Sequence, residues 1–140
     1  MSERELSDFA TKTAYYYSIR LLIKNTNIPV SEITAVLGME PDYSWNAGEG
    51  GHGDTMWGHV SWTEGQRLFF DEVGEILGWL EGRKDFVSRL LSSGGELHVI
   101  VQLPGVLNIG SDLMPEPMLL ASRLGVRIGI EVLPDLQRPK

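Results

Sequence analysis

The sequence predicts a small α+β domain, and three observations carry that expectation. Two stretches alternate apolar and polar residues as half-buried strands do. Leu97, Val99, Val101 and Leu103 alternate with Glu96, His98, Ile100 and Gln102, and Val126, Ile128, Ile130 and Val132 alternate with Arg127, Gly129, Glu131 and Leu133. Residues 115–124 between them read as a helix that opens on Pro115 and stops at Gly125, so 96–134 makes a strand–helix–strand unit. The order strand, loop, helix, glycine, strand also occurs in the first half, over residues 15–63. Two such βαβ halves in one mostly antiparallel sheet predict a two-layer sandwich, ferredoxin-like, with a long helix inserted between the halves.

Taken in order, residues 1–13 are polar and are expected to be a flexible N-terminal segment. Residues 14–134 then form a single domain, and 135–140 a C-terminal tail. In the first strand Tyr15, Tyr17, Ile19, Leu21 and Ile23 share one face, and Tyr16, Ser18, Arg20, Leu22 and Lys24 the other. After the turn residues of 25–29, Ser31 is the expected N-cap of a short helix over 32–37, whose apolar side is Ile33, Val36 and Leu37. Gly38 is suited to a left-handed stop, and Pro41 forbids continuation. Residues 40–56 form a long glycine-rich excursion with a short strand near Trp45, and 57–63 a strand whose core side is open. Over 71–92, Val73, Ile76, Leu77, Leu80, Val87 and Leu91 recur at helical spacing. Gly74, Gly78 and Gly82 lie four apart on this segment. They mark either a break near Gly82 or a side where another backbone approaches closely.

At 140 residues the chain is long enough to bury a core without disulfides or metal staples. It has no cysteine, which removes disulfides, thiolate catalysis and cysteine-ligated zinc together and fits the cytoplasm. Residues 1–13 hold no apolar run, so no signal peptide is expected, and no stretch is apolar enough to predict a membrane partner. The net charge of −7 disfavours nucleic acid, because phosphate backbones are bound by clustered Lys and Arg. Acidity serves solubility first and attraction to a basic protein second.

The chain contains no established catalytic motif. The run Gly48-Glu49-Gly50-Gly51-His52-Gly53 follows a helix and precedes a strand, the reverse of a phosphate-binding loop, and no Gly-Lys-Ser/Thr is present. His52, Asp54 and His59 lack metal-ligand spacing, so no metal and no cofactor are expected. His98 sits on the polar side of its strand. Glu131 is the carboxylate that would have to orient it as a general base, and no catalytic residue is assigned.

One resemblance emerges from these residues. Tyr16, Ser18 and Ile19 in the first strand are followed by Glu32-Ile33-Thr34-x-x-Leu37-Gly38-Met39-Glu40-Pro41, Trp45, Gly48-Glu49 and the Trp57 strand. The Leu97 strand, Pro115-x-x-x-Leu119 and Leu124-Gly125-Val126 come later. This order resembles an uncharacterised bacterial family, domain of unknown function 4279, over residues 15–133. The glycine-rich stretch around His52 and the Gly74/Gly78/Gly82 stripe depart from it. The resemblance implies no activity, cofactor or catalytic residue.

The first expectation for function is therefore a non-enzymatic binding or interaction module, one version being an immunity-like protein that binds a basic protein. The alternative is a small-molecule sensor or carrier that uses the polar sheet face. Tyr16, Arg20, His98, Gln102, Arg127 and Glu131 form that candidate face, where the arginines suit a small anionic ligand. A homodimer is compatible with either.

Overall fold

The computed structural model describes residues 15–65 and 67–137. The segment 1–13 and the last three residues of the tail lie outside the described residues. The elements are β1 (Tyr15–Thr26), α1 (Val30–Leu37), β2 (Tyr43–Trp45), β3 (Thr55–Gly65), α2 (Phe69–Glu81), α3 (Lys84–Ser92), β4 (Glu96–Pro104), α4 (Pro115–Leu124) and β5 (Arg127–Leu133). They form an α+β fold around one mixed sheet of order β2-β3-β1-β4-β5.

β1 is antiparallel to both its neighbours, β3 and β4, while β4 and β5 are parallel. The second half is therefore the expected βαβ unit, with α4 as its crossover. The first half is not. β2 pairs antiparallel with β3 and turns the chain, so β3 returns beside β1 in the opposite direction. The two halves are not equivalent, and the duplication expected from the element order does not extend to strand direction.

Side-chain alternation decides which face of the sheet is covered. Tyr17, Ile19, Leu21 and Ile23 of β1 are buried with Trp57, Leu97, Val99 and Val101 in one cluster. Ile33 and Leu37 of α1, Val73, Leu77 and Leu80 of α2, Phe86, Val87 and Leu90 of α3 and Ala121 of α4 join the same cluster. The four helices among the described residues thus bury their apolar sides against one face. Each fully buried aliphatic or aromatic side chain contributes about 1.5–3 kcal/mol of transfer free energy.

The N-cap expectation needs correction, and the two readings of the 71–92 segment are decided. α1 begins at Val30 with Pro29 as its N-cap. Ser31 lies inside the helix, and the Val30 N–H donates to Asn46 Oδ1 (2.8 Å) instead. Of the two readings of the 71–92 segment, the break near Gly82 is the one formed, with two helices that part at Gly82-Arg83. There the Arg83 guanidinium donates to the carbonyls of Trp79 (3.1 Å) and Val36 (3.2 Å) and stacks 4.1 Å above the Trp79 ring, an alternative to continued helix. Of the glycines on α2, Gly74 faces Pro117 of α4 in ordinary contact, whereas Gly78 faces open space, so close backbone approach does not explain the stripe. Gly38 and Gly125 do terminate α1 and α4 in the left-handed conformation, with φ of 69° and 76°.

Candidate functional site

The register brings the predicted residues onto one face of the sheet that no helix among the described residues covers. Its rows are Trp62–Ser18–Gln102–Glu131, Val60–Arg20–Ile100–Gly129 and Gly58–Leu22–His98–Arg127, with Tyr16 one step further along β1. β2 extends the face by placing Tyr43 opposite Gly58 and Trp45 opposite Met56. All six candidates therefore share a surface, and each is already engaged. The Tyr16 hydroxyl donates to the Leu136 carbonyl (2.9 Å), which folds Pro134 and residues 135–137 of the tail back towards Trp62. Gln102 Oε1 accepts from the Ser18 hydroxyl (2.8 Å).

Arg20 spans the centre. Its guanidinium pairs with Glu131 and donates to the Tyr43 hydroxyl (3.3 Å), while its Nε–H is enclosed without a partner among the described residues. The Tyr43 ring crosses the sheet directly over Gly58, where an added Cβ would sit 2.0 Å from Tyr43 Cζ. Gly58 is thus required by the ring that carries Arg20's acceptor, an aromatic-over-glycine pairing across antiparallel strands.

A second charged group surrounds Glu96, which accepts from Asn25 Nδ2, His98 Nε2 (3.0 Å) and Arg127 (2.7 Å). Asn25 reaches it from a left-handed backbone position (φ 61°) at an irregularity in the β1–β3 register. His98 therefore pairs with Glu96. Glu131 lies two rows away, about 13 Å along the strand, and is held by Arg20, so the His98–Glu131 acid–base pair weighed from sequence is not formed. Burial would raise the Glu96 pKa. Asn25, His98, Arg127 and Lys24 outweigh burial and hold this carboxyl below its ordinary value.

On the other side of the sheet a cleft of about 350 Å³ lies between β1, β3 and α2, lined by Leu21, Met39, His59, Glu72, Ile76 and Trp79 among others. The sequence left this side of β3 unassigned. His59 Nδ1 is 2.8 Å from the Glu40 carbonyl, and Glu72 accepts from the Thr63 hydroxyl (2.7 Å). Nearby, burial and then the Glu72 carboxylate raise the pKa of Tyr17, whose enclosed hydroxyl has no partner among the described residues. His52 stacks on Trp45 at 4.0 Å, apart from His59, and no group of three His, Asp or Glu among the described residues is arranged to hold a metal ion. No helix among the described residues is long and apolar enough to cross a membrane. Set against protein-family models, curated proteins and solved structures, the chain finds no match.

Two predictions test this geometry. Gly58→Ala forces Tyr43 off the sheet and is expected to cost about 1–3 kcal/mol in denaturant unfolding, as overpacking does. In a Tyr43→Ala background the same change should be nearly neutral, and an unchanged penalty there would refute the ring–glycine coupling. Because the Glu96 pKa is depressed on folding, its contribution is present above the ordinary glutamate range and is lost as pH falls through the depressed value. Glu96→Gln should accordingly lower the melting temperature at neutral pH, with the gap from the parent closing as pH falls below about 4. A gap independent of pH would contradict the assignment.

Proposed function

We propose that this chain is a non-enzymatic protein-interaction module of the cytoplasm, an α+β two-layer sandwich that binds through the sheet face left open by the described helices. The observation that carries this reading is the composition of that face. Trp62 is 38% exposed and shares the surface with Val60, Tyr43, Trp45 and Arg20. Trp, Tyr and Arg dominate binding energy at protein interfaces, and a face held rigid by its own hydrogen bonds loses little entropy on binding. The net charge of −7 favours a basic partner by steering its approach, the immunity-like version of the proposal. The kinship with domain of unknown function 4279 is part of the same proposal and adds no activity to it.

Anion binding on this face is disfavoured, because Arg20 and Arg127 each already neutralise a carboxylate that an anion would have to displace. The cleft under α2 favours a different small molecule, an apolar one with a donor or cationic group facing Glu72 and Glu75. Native mass spectrometry of tagged protein purified gently from its own host separates these readings. The expected result is a stoichiometric second polypeptide that is lost from Trp62→Arg and kept by Leu119→Arg on α4. A small mass adduct without a polypeptide would replace the proposal with the cleft reading. Equal loss from both variants would remove the sheet face.

A further inference from the structure

β5 is an edge strand with a hydrogen-bonding side that no described residue occupies. The Leu133 carbonyl accepts from the Gly105 N–H (3.3 Å), so Leu133 points its backbone groups towards β4. Alternation along the strand then aims the N–H and C=O of Ile128, Ile130 and Val132 outward. Natural edge strands are blunted by charged side chains, lysine above all, by proline or by bulges. β5 has no lysine, proline or bulge over its seven residues, its two charges, Arg127 and Glu131, are of opposite sign, and its register with β4 is unbroken. Ile130 and Val132 are moreover 52% and 59% exposed, although their neighbours across the ladder, Val101 and Leu103, are buried and half-buried.

The strand is also complementary to itself. Arg127 and Glu131 lie on the same face, two residues either side of Gly129. We propose that the free edge of β5 pairs antiparallel with β5 of a second copy of this chain, with the two-fold axis at Gly129. Arg127 then stands opposite the partner's Glu131, and Ile128 opposite the partner's Ile130, each pair occurring twice. The outward backbone groups of Ile128 and Ile130 form the hydrogen-bonded pairs. Arg127 and Glu131 fall in non-hydrogen-bonded pairs, where side chains approach most closely. Each charge keeps its partner within the protomer. Arg20, Glu131, the partner's Arg127 and the partner's Glu96 thus become one alternating chain across the interface. Arg127 and Glu131 are 63% and 35% exposed, which leaves donors and acceptors free for that contact. Moving the axis to Ile130 would set Glu131 opposite Gly129, and moving it to Glu131 would set like charges together, so the charges select the register. The product joins the five described strands of each copy into one continuous sheet.

The inference concerns the strand edge and stands apart from the partner proposed for the sheet face. Sedimentation equilibrium of the full chain at high-micromolar concentration is expected to give twice the 15.6 kDa protomer mass. Ile130→Lys, at an exposed position, should give the single mass with an unchanged circular dichroism spectrum. Because the chain has no cysteine, Gly129→Cys reports the axis directly. Non-hydrogen-bonded partners stand about 4.5 Å apart at Cα, within disulfide reach, so mild oxidation with diamide should crosslink it. Arg127→Cys, about 13 Å from its own symmetry mate, should stay uncrosslinked. A monomeric parent, a dimer indifferent to Ile130→Lys, or crosslinking through Arg127→Cys would each overturn the proposal.

Discussion

β1 is paired along both edges, with a wholly apolar face towards the described helices and a mostly polar one away from them, and the rest of the structure follows from that. Its odd-numbered residues from Tyr17 to Ile23 pack against the helices, while Ser18, Arg20 and Lys24, with the buried Leu22 among them, alternate onto the surface that the described helices leave open. A register slip of one residue would exchange these sets, driving Arg20 into the core and Ile19 into water, so the core fixes the geometry of the polar face. Tyr17 records the cost of this arrangement. Its ring is fully buried, and its hydroxyl is enclosed without a partner among the described residues.

The open face is ordered by coupled polar contacts more than by packing. Gly58 admits the Tyr43 ring, Tyr43 and Glu131 hold Arg20, and Glu96 gathers Asn25, His98 and Arg127. Because the cations are matched to carboxylates, the face offers a partner a fixed surface with little free charge. The overall acidity is carried elsewhere, by exposed residues such as Glu40, Asp42, Asp54 and Glu116. In the proposed reading the acidity therefore bears on the approach of a partner more than on its fit.

Much of the architecture was legible because alternation is a strong signal over long strands. The faces of β1 and β4, and the bounds of α4 with its Gly125 stop, could be read from residue types alone. The direction of β3 could not, since it depends on β2, whose three residues are too few to display a period. The six candidate residues were correctly grouped on one face, as strand pairing of even positions requires. Their partners were not legible. Glu131 does not serve His98 because the β4–β5 register sets it two rows away, whereas Glu96 stands two residues from His98 on the same face of β4. Tyr43 gave no sign of its role, although a glycine within a strand signals close approach by a neighbour, and Gly58 was such a signal. The exposure of Ile130 and Val132 was hidden for a related reason. Alternation assigns a side of the sheet, but it does not say whether a helix extends far enough to cover the edge.

Native-state hydrogen exchange resolved by residue tests most directly the claim that β1 organises the fold. Amides of β1 from Ser18 to Ile23 lie between β3 and β4 and should exchange only through global unfolding. Those of the short strand β2 should exchange through local opening at a lower free energy. Exchange from β1 as fast as from β2 would contradict the account.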